Sequence, residues 1–191
     1  MKKQTDIDID FANRDEILNI LPHVSASIIE NGVTRKHNSG VYFTDTPHDP
    51  ATGLSTLNYK DAEQRNYFKL DFLNVSVYQN VKDETHLIDL MMKTPNWSRL
   101  WEDRNFCKQV VHIGNHYDLI TSLKPDTIPR MAMFLAVMRP SKRPLARLSW
   151  KEIGEQVWIP PADGSYYFKK SHSISYSVLV GIHMNLLEEA E

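Results

Sequence analysis

Acidic and apolar residues alternate near the start of the sequence, in the run DIDIDF at residues 6–11. This alternation has the period of a β-strand, so Asp6, Asp8 and Asp10 share one face and the apolar residues share the other. Carboxylates two residues apart on a strand are roughly 6.5–7 Å apart at the backbone, and their side chains can converge on one divalent cation or on two. An acidic edge strand that blocks aggregation has the same pattern, so the run alone leaves both interpretations open.

A second stretch, FKLDFL at residues 68–73, alternates in the same way. Its apolar residues lie on one face, and Lys69 and Asp71 lie on the other. Two such strands can pair, and we expect the pairing to bring Asp71 beside Asp8 and Asp10. Lys69 would then be placed to meet an anionic substrate.

These stretches also carry a family resemblance. Residues 6–11, followed by Arg14-Asp15, resemble the Pro-Asp-x-Asp-x-Asp-Phe…Arg-Asp segment of bacterial DNA polymerase III alpha subunits, and residues 69–73 resemble their Lys-Phe-Asp-Phe-Leu strand. Residues 37–41 are similar to their His-Ala-Gly-Gly-Val segment. Residues 131–140 resemble their helix ending in Leu-Phe-Arg-Pro-Gly, and residues 168–176 resemble Phe-Asn-Lys-Ser-His-x-x-x-Tyr. Five separated matches in the same order are more specific than any one of them.

The resemblance implies nucleotidyl transfer to a DNA 3′ end by a two-metal mechanism. It implies that Asp8, Asp10 and Asp71 are catalytic and hold two Mg²⁺ ions, with Mn²⁺ as the substitute ion, and that Lys69 contacts a phosphate. It gives primer–template DNA and dNTP as partners, together with other replication proteins. The further residues that we expect to contact DNA or nucleotide are His37, Arg139, Lys170, Ser171 and His172.

The resemblance also implies an α+β fold: a small palm-like β-sheet with flanking helices over residues 1–75, followed by a helical fingers-like region over residues 76–191. The Gly-Ser phosphate-binding helix and the thumb of the family have no counterpart in this sequence, so we expect a reduced relative. It would be half of a split enzyme, or a compact form encoded by a virus or mobile element. Two alternatives stay open: a catalytically inactive accessory or decoy protein that binds DNA or the replisome, and an acidic-edged structural protein unrelated to polymerases.

Charge is distributed unevenly along a chain whose formal net charge is −2. Residues 1–123 carry 13 basic and 17 acidic side chains, whereas residues 124–170 carry nine and four. A basic segment beside an acidic site is typical of a protein with a polyanionic substrate. The composition is 41% hydrophobic and includes one cysteine, which excludes an internal disulfide. No signal peptide or apolar run of membrane-spanning length is found, and we expect a cytoplasmic, bacterial, phage-like protein without membrane contact.

Local patterns predict most of the remaining elements. Helices are expected after the Asn13 cap, over residues 86–92 and 127–139, after the Ser149 cap, and from residue 170 to about 189. Residues 35–40 are predicted to be a basic turn and residues 44–58 a surface loop, while residues 24–31 fit a short helix or a strand. His112 and His116 have the i, i+4 spacing of a zinc pair, but no third ligand accompanies them. We interpret them as surface or core histidines.

Overall fold

The computed structural model describes residues 7–191 and confirms the α+β fold class. The chain divides into two compact units, the first ending at Asn80 and the second beginning at Val81. The predicted boundary lay at residues 75 and 76. Asp6, the first acid of the alternating run, lies outside the described residues.

The N-terminal unit is built on a mixed five-stranded sheet with the strand order β1-β5-β3-β2-β4. β1 runs parallel to β5, and β2 runs parallel to β4, while β3 is antiparallel to both β2 and β5. The strands are β1 (Ile7–Phe11), β2 (Val24–Glu30), β3 (Val33–Tyr42), β4 (Leu54–Asn58) and β5 (Leu70–Asn74).

Helix α1 (Arg14–Ile20) covers the apolar face of this sheet. The side chain of Asn13 caps its first turn, as predicted, by accepting a hydrogen bond from the backbone N–H of Asp15. Leu18 packs with Val41 and Phe72 in a small core on this side of the sheet. On the same face, the two isoleucines of β1 keep more than a third of their surface exposed.

Two local predictions for this unit were wrong. Residues 35–40 form no turn but belong to β3, which makes a tight hairpin with β2 through Asn31-Gly32, both with positive φ. The pairing of β2 with β3 is irregular where residues 37–40 bulge out of the ladder. The predicted loop at residues 44–58 contains β4, and it is followed by helix α2 (Tyr59–Gln64) and, further on, by a 3₁₀ helix (Ser76–Asn80).

The C-terminal unit is helical. Its helices are α3 (Glu84–Met92), α4 (Arg99–Glu102), α5 (Arg104–Gln109), α6 (Tyr117–Leu123), α7 (Ile128–Val137), α8 (Trp150–Gln156) and α9 (Lys170–Glu189), with a 3₁₀ helix (Pro140–Arg147) between α7 and α8. The core centres on α7 and α9, where residues such as Met131, Phe134 and Met184 are fully buried. The predicted capping box of α8, Ser149 with Glu152, is present in full.

Within residues 7–191, none of these helices combines the length and the apolar character that crossing a bilayer requires.

Candidate functional site

Parallel pairing of β1 with β5 determines the geometry of the acidic face of the sheet. Asp8 lies directly opposite Asp71 in the register, and Asp10 follows two residues later on β1. Directly paired residues project to the same face, as do residues two apart on a strand. The three predicted acids therefore share one face at the β1 edge of the sheet.

The environment of Asp10 shows the electrostatic cost of this arrangement. Asp10 is accessible to solvent, but neighbouring protein atoms displace part of its hydration and raise the pKa of its carboxyl group, and the charge of Asp8 raises it further. Burial also raises the pKa of Tyr78, and the charge of Asp10 adds to this shift. A cation near Asp8 and Asp10 would relieve the repulsion between the two carboxylates.

Asp71 differs from the other two acids because it is buried. Only 8% of the residue is exposed. The ammonium group of Lys69 forms an ion pair with Oδ2, and the hydroxyl of Ser39 donates a hydrogen bond to Oδ1 over 2.7 Å. Lys69, predicted to contact a substrate phosphate, directly precedes β5 and is engaged with the acid two residues further along the chain.

His37 shapes the bulge of β3 beside Asp71. Its Nδ1 atom accepts hydrogen bonds from the backbone N–H groups of Gly40 (2.9 Å) and Ser39 (3.3 Å). An accepting nitrogen carries no proton, so the 3.8 Å separation between Nδ1 and Asp71 Oδ1 is a contact with a neutral imidazole and not an ion pair. Burial lowers the pKa of His37, and the positive charge of Lys69 acts in the same direction.

Gly40 makes this crowded arrangement possible. It pairs with Asp71 across β3 and β5, and so lies on the same face. A Cβ atom at this position would lie 2.8 Å from Cδ of Lys69 and 2.9 Å from Cβ of Ala26. Lys69 can reach Asp71 over the backbone only because residue 40 has no side chain.

Three further residues belong to the surroundings of the site, and sequence reasoning gave none of them a role in it. Arg14 donates to the backbone carbonyls of Asn38 and, over 3.0 Å, of Phe72, which ties the start of α1 to β3 and β5. Ser39 orients Asp71. Tyr42 is 1% exposed, and its hydroxyl group has no hydrogen-bond partner in the described part of the chain.

Burial raises the pKa of Tyr42 to about 12, with the charges of Asp71 and Glu63 adding to the effect. Arg14 and Ser39 lie in the segments that carry the family resemblance, and this position was the sequence feature that could have identified them as site residues. Tyr42 gave no signal beyond its place in an apolar strand.

An open groove of about 590 Å³ lies at the carboxyl end of β5. Most of the residues that line it are polar, among them Lys36, Asn38, Ser39 and Asn74. Ser39 both lines the groove and donates a hydrogen bond to Asp71, so it links the groove to the buried acid.

The side chains of the acidic face are of the type that binds a hard cation. Carboxylate oxygens are the ligands that Mg²⁺ prefers. Among residues 7–191, however, no three His, Cys, Asp or Glu side chains converge as a metal-ligand cluster. Lys69 occupies one oxygen of Asp71, so this acid would join Asp8 and Asp10 as a ligand only after Lys69 withdraws.

The remaining predicted site residues belong to the C-terminal unit. The guanidinium of Arg139 lies 4.7 Å from the centre of the Phe168 ring, and the ring of His172 lies 6.3 Å from the same centre. Arg139 is thus brought next to the start of α9, where Lys170 and Ser171 are exposed. His112 has a positive φ of 67° and precedes α6, so it does not share a helix face with His116 and the helical i, i+4 geometry does not apply.

Comparison of the chain with protein-family models, with curated proteins and with solved structures found no match.

Proposed function

We propose that the acidic face binds divalent cations and supports nucleotidyl transfer to a DNA 3′ end, in the manner of a reduced DNA polymerase III alpha-like protein. The observation that carries this proposal is the in-register pairing of Asp8 with Asp71, with Asp10 on the same face. The resemblance in five ordered segments supplies the reaction class. A bacterial cytoplasm, with a phage as a possible source of the gene, is the setting that such a function implies.

The residues of the site would divide the work between them. Asp8 and Asp10 would hold Mg²⁺, with Mn²⁺ as its substitute, and Asp71 would join them once its ion pair with Lys69 opens. The cations would lower the pKa of the primer 3′-hydroxyl and neutralise the triphosphate. Lys69, released from Asp71, would then have a free ammonium group for a phosphate, while Ser39 holds the carboxylate in orientation.

Primer–template DNA and dNTP are the proposed substrates, and other replication proteins are the proposed partners. The charge distribution supports a polyanionic partner, because residues 124–170 carry a net charge of +5. Four of the proposed DNA- or nucleotide-contacting residues, Arg139, Lys170, Ser171 and His172, lie in or beside this segment. His37, in the N-terminal unit, would act indirectly by holding the bulge that carries Ser39.

A second candidate function is favoured by a different observation. Lys69 already neutralises Asp71, and no three ligands converge in the described part of the chain. A protein that binds DNA or the replisome without catalysis would need this ion pair only for folding. The alternative is therefore a catalytically inactive accessory or decoy protein derived from the polymerase.

Calorimetric titration with Mg²⁺ and Mn²⁺ tests the metal site. The variants are Asp8→Asn and Asp71→Asn, and Asp45→Asn is the matched control because Asp45 is an exposed aspartate of the same unit. We expect cation binding in the wild type and in the control, and its loss in both site variants. Binding that survives both substitutions would remove the metal site from the acidic face.

Primer extension tests the activity itself, with the pure protein and with proteins encoded beside its gene. Cation-dependent incorporation that disappears in Asp8→Asn and Asp71→Asn would establish an enzyme. DNA binding that neither substitution changes, with no incorporation under any condition, would establish the accessory function instead.

A further inference from the structure

A polar pocket of about 400 Å³ opens on the C-terminal unit, between the start of α6 and the 3₁₀ helix at residues 140–147. His116 stands at the N-cap position of α6, and Arg143 projects from the 3₁₀ helix. The pocket is lined by Asn115, His116, Asp118, Leu119, Ser122 and Arg143.

Two arginines lie one turn apart at the 3₁₀ helix beside this pocket. The backbone N–H of Arg143 donates a hydrogen bond to the carbonyl of Arg139, the N-cap residue of the helix, over 2.9 Å. Burial lowers the pKa of His116, and the charges of Arg143 and Arg139 lower it further. Both arginines therefore contribute positive charge to the surroundings of His116.

Carboxylates do not balance this charge. Across residues 7–191, no Asp or Glu oxygen lies within 4 Å of the guanidinium nitrogens of Arg139 or Arg143, although Arg99 and Arg130 of the same unit do form such pairs. Asp118 lines the pocket without pairing with Arg143. The only acid among the residues that line the pocket thus leaves the guanidinium group of Arg143 available.

Arg139, which precedes Arg143 by one turn but does not itself line the pocket, supplies an independent indication of a missing partner. Its Nε atom is buried and makes no hydrogen bond within the described residues. The guanidinium is held over the Phe168 ring, which fixes its position without satisfying its donors. A buried donor without an acceptor costs free energy, which a bound acceptor would recover.

We propose that His116, Arg139 and Arg143 form a binding site for a phosphate group, supplied either by a free nucleotide or by a nucleic-acid backbone. Arginine presents a planar set of donors that matches phosphate oxygens in a bidentate way. A bound phosphate would neutralise the charges of Arg139 and Arg143. Its oxygens would also accept a hydrogen bond from the ring of His116, whether the ring is neutral or protonated. The site requires no divalent cation and does not depend on the chemistry proposed for the acidic face.

The test measures binding of a labelled single-stranded oligonucleotide to the full chain by fluorescence anisotropy, in EDTA and over a salt series. Arg143→Gln is the variant, and Arg147→Gln is its matched control, because Arg147 is an exposed arginine of the same 3₁₀ helix that does not line the pocket. Arg143→Gln should weaken binding about tenfold and reduce the salt dependence by about one phosphate contact, a slope change of about 0.7. Arg147→Gln should leave the slope unchanged.

Competitors then identify the source of the phosphate. Displacement of the probe by a nucleoside triphosphate, but not by the same concentration of the nucleoside, indicates a nucleotide site, and displacement only by unlabelled oligonucleotide indicates a backbone site. If Arg143→Gln and Arg147→Gln weaken probe binding equally, the binding reflects diffuse positive charge and the proposal is overturned. The absence of any probe binding would also overturn it.

Asp8→Asn separates this inference from the proposed function. The variant should bind the probe like the wild type in EDTA even where it abolishes incorporation. His116→Gln provides a second variant of the pocket. A wild-type salt slope in both His116→Gln and Arg143→Gln would also overturn the site.

Discussion

Lys69 and Asp71 form the most consequential contact of the candidate site, and replacing Lys69 with methionine tests two roles at once. The side chains are 17% and 11% exposed, respectively. Methionine keeps an aliphatic chain of similar length above Gly40 but removes the ammonium group. The variant therefore leaves Asp71 buried with a charge that only the Ser39 hydroxyl and neighbouring polar groups stabilise.

The expected loss of stability follows from this geometry. Removing one partner of a fully buried ion pair costs about 3–5 kcal/mol. Because both side chains keep some contact with solvent and the 2.7 Å hydrogen bond from Ser39 remains, we expect a smaller decrease in the free energy of unfolding, about 2 kcal/mol. Lys60→Met is the matched control, since Lys60 is an exposed lysine of the same unit and its loss should cost less than about 0.5 kcal/mol.

Magnesium should reverse the effect if Asp71 is a cation ligand. Without Lys69 the carboxylate has no competing cation, so Lys69→Met should bind Mg²⁺ more tightly than the wild type. A free Mg²⁺ concentration one hundred times the Kd would then stabilise the variant by about 2.7 kcal/mol, enough to offset the substitution.

The assay must report on the correct unit. All four tryptophans lie in the C-terminal unit, so their fluorescence does not follow the sheet. Urea unfolding monitored by amide hydrogen exchange in β5, with and without Mg²⁺, gives the required free energies. A destabilised variant that Mg²⁺ does not rescue would refute the role of Asp71 as a ligand, and a variant as stable as Lys60→Met would refute the ion pair itself.

Two further predictions concern the two units separately. Gly40→Ala should lower the stability of the N-terminal unit by about 1–3 kcal/mol, because the new Cβ would lie 2.9 Å from that of Ala26. Hydrogen exchange in β3 should detect this loss. In the comparison variant Gly53→Ala, nothing lies within 4 Å of the new Cβ, so that variant measures only the strain of a positive φ. His183 accepts a hydrogen bond from the N–H of Val111 over 2.9 Å, and burial lowers its pKa below 6.5. The folded protein therefore favours the neutral ring. It should lose stability as the pH falls from 6.5 through the lower folded-state pKa. Tryptophan-monitored urea unfolding at several pH values should show this loss reduced in His183→Gln, and an unchanged pH dependence would contradict it.

Residue patterns predicted the faces of the two acidic strands, and the expected pairing of these strands is present, but the patterns do not determine its register. Alternation fixes which side chains share a face, and it placed Asp8, Asp10 and Asp71 on polar faces of β1 and β5. The register is a tertiary property, because parallel strands about sixty residues apart are joined through other elements. A slip of one residue would have moved Asp71 to the opposite face, and nothing in the two runs excludes such a slip.

The errors in β3 have a definite physical origin. Asn31-Gly32 is the strongest short-range signal for a hairpin, and it would have identified residues 24–30 as a strand and residues 33–42 as its partner. The glycine and polar residues at 37–40 suggested a turn instead. They form a bulge, and its unpaired N–H groups are satisfied by the side chain of His37, which a pattern of residue types does not reveal.

Lys69 illustrates why function is harder to infer than the fold. Its spacing from Asp71 predicts a shared face, and two readings follow from that single fact. With a substrate and cations present, the ammonium group has an external anion to bind; without them, Asp71 is its nearest counter-charge, and burial of an unpaired carboxylate is the costlier state. The ion pair is therefore the state that either proposed function would adopt at rest. What distinguishes the proposed enzyme from an inactive binding protein is whether a divalent cation can take the place of Lys69 on Asp71. That exchange would be favoured by Asp8 and Asp10, because a cation would relieve the repulsion between these two carboxylates.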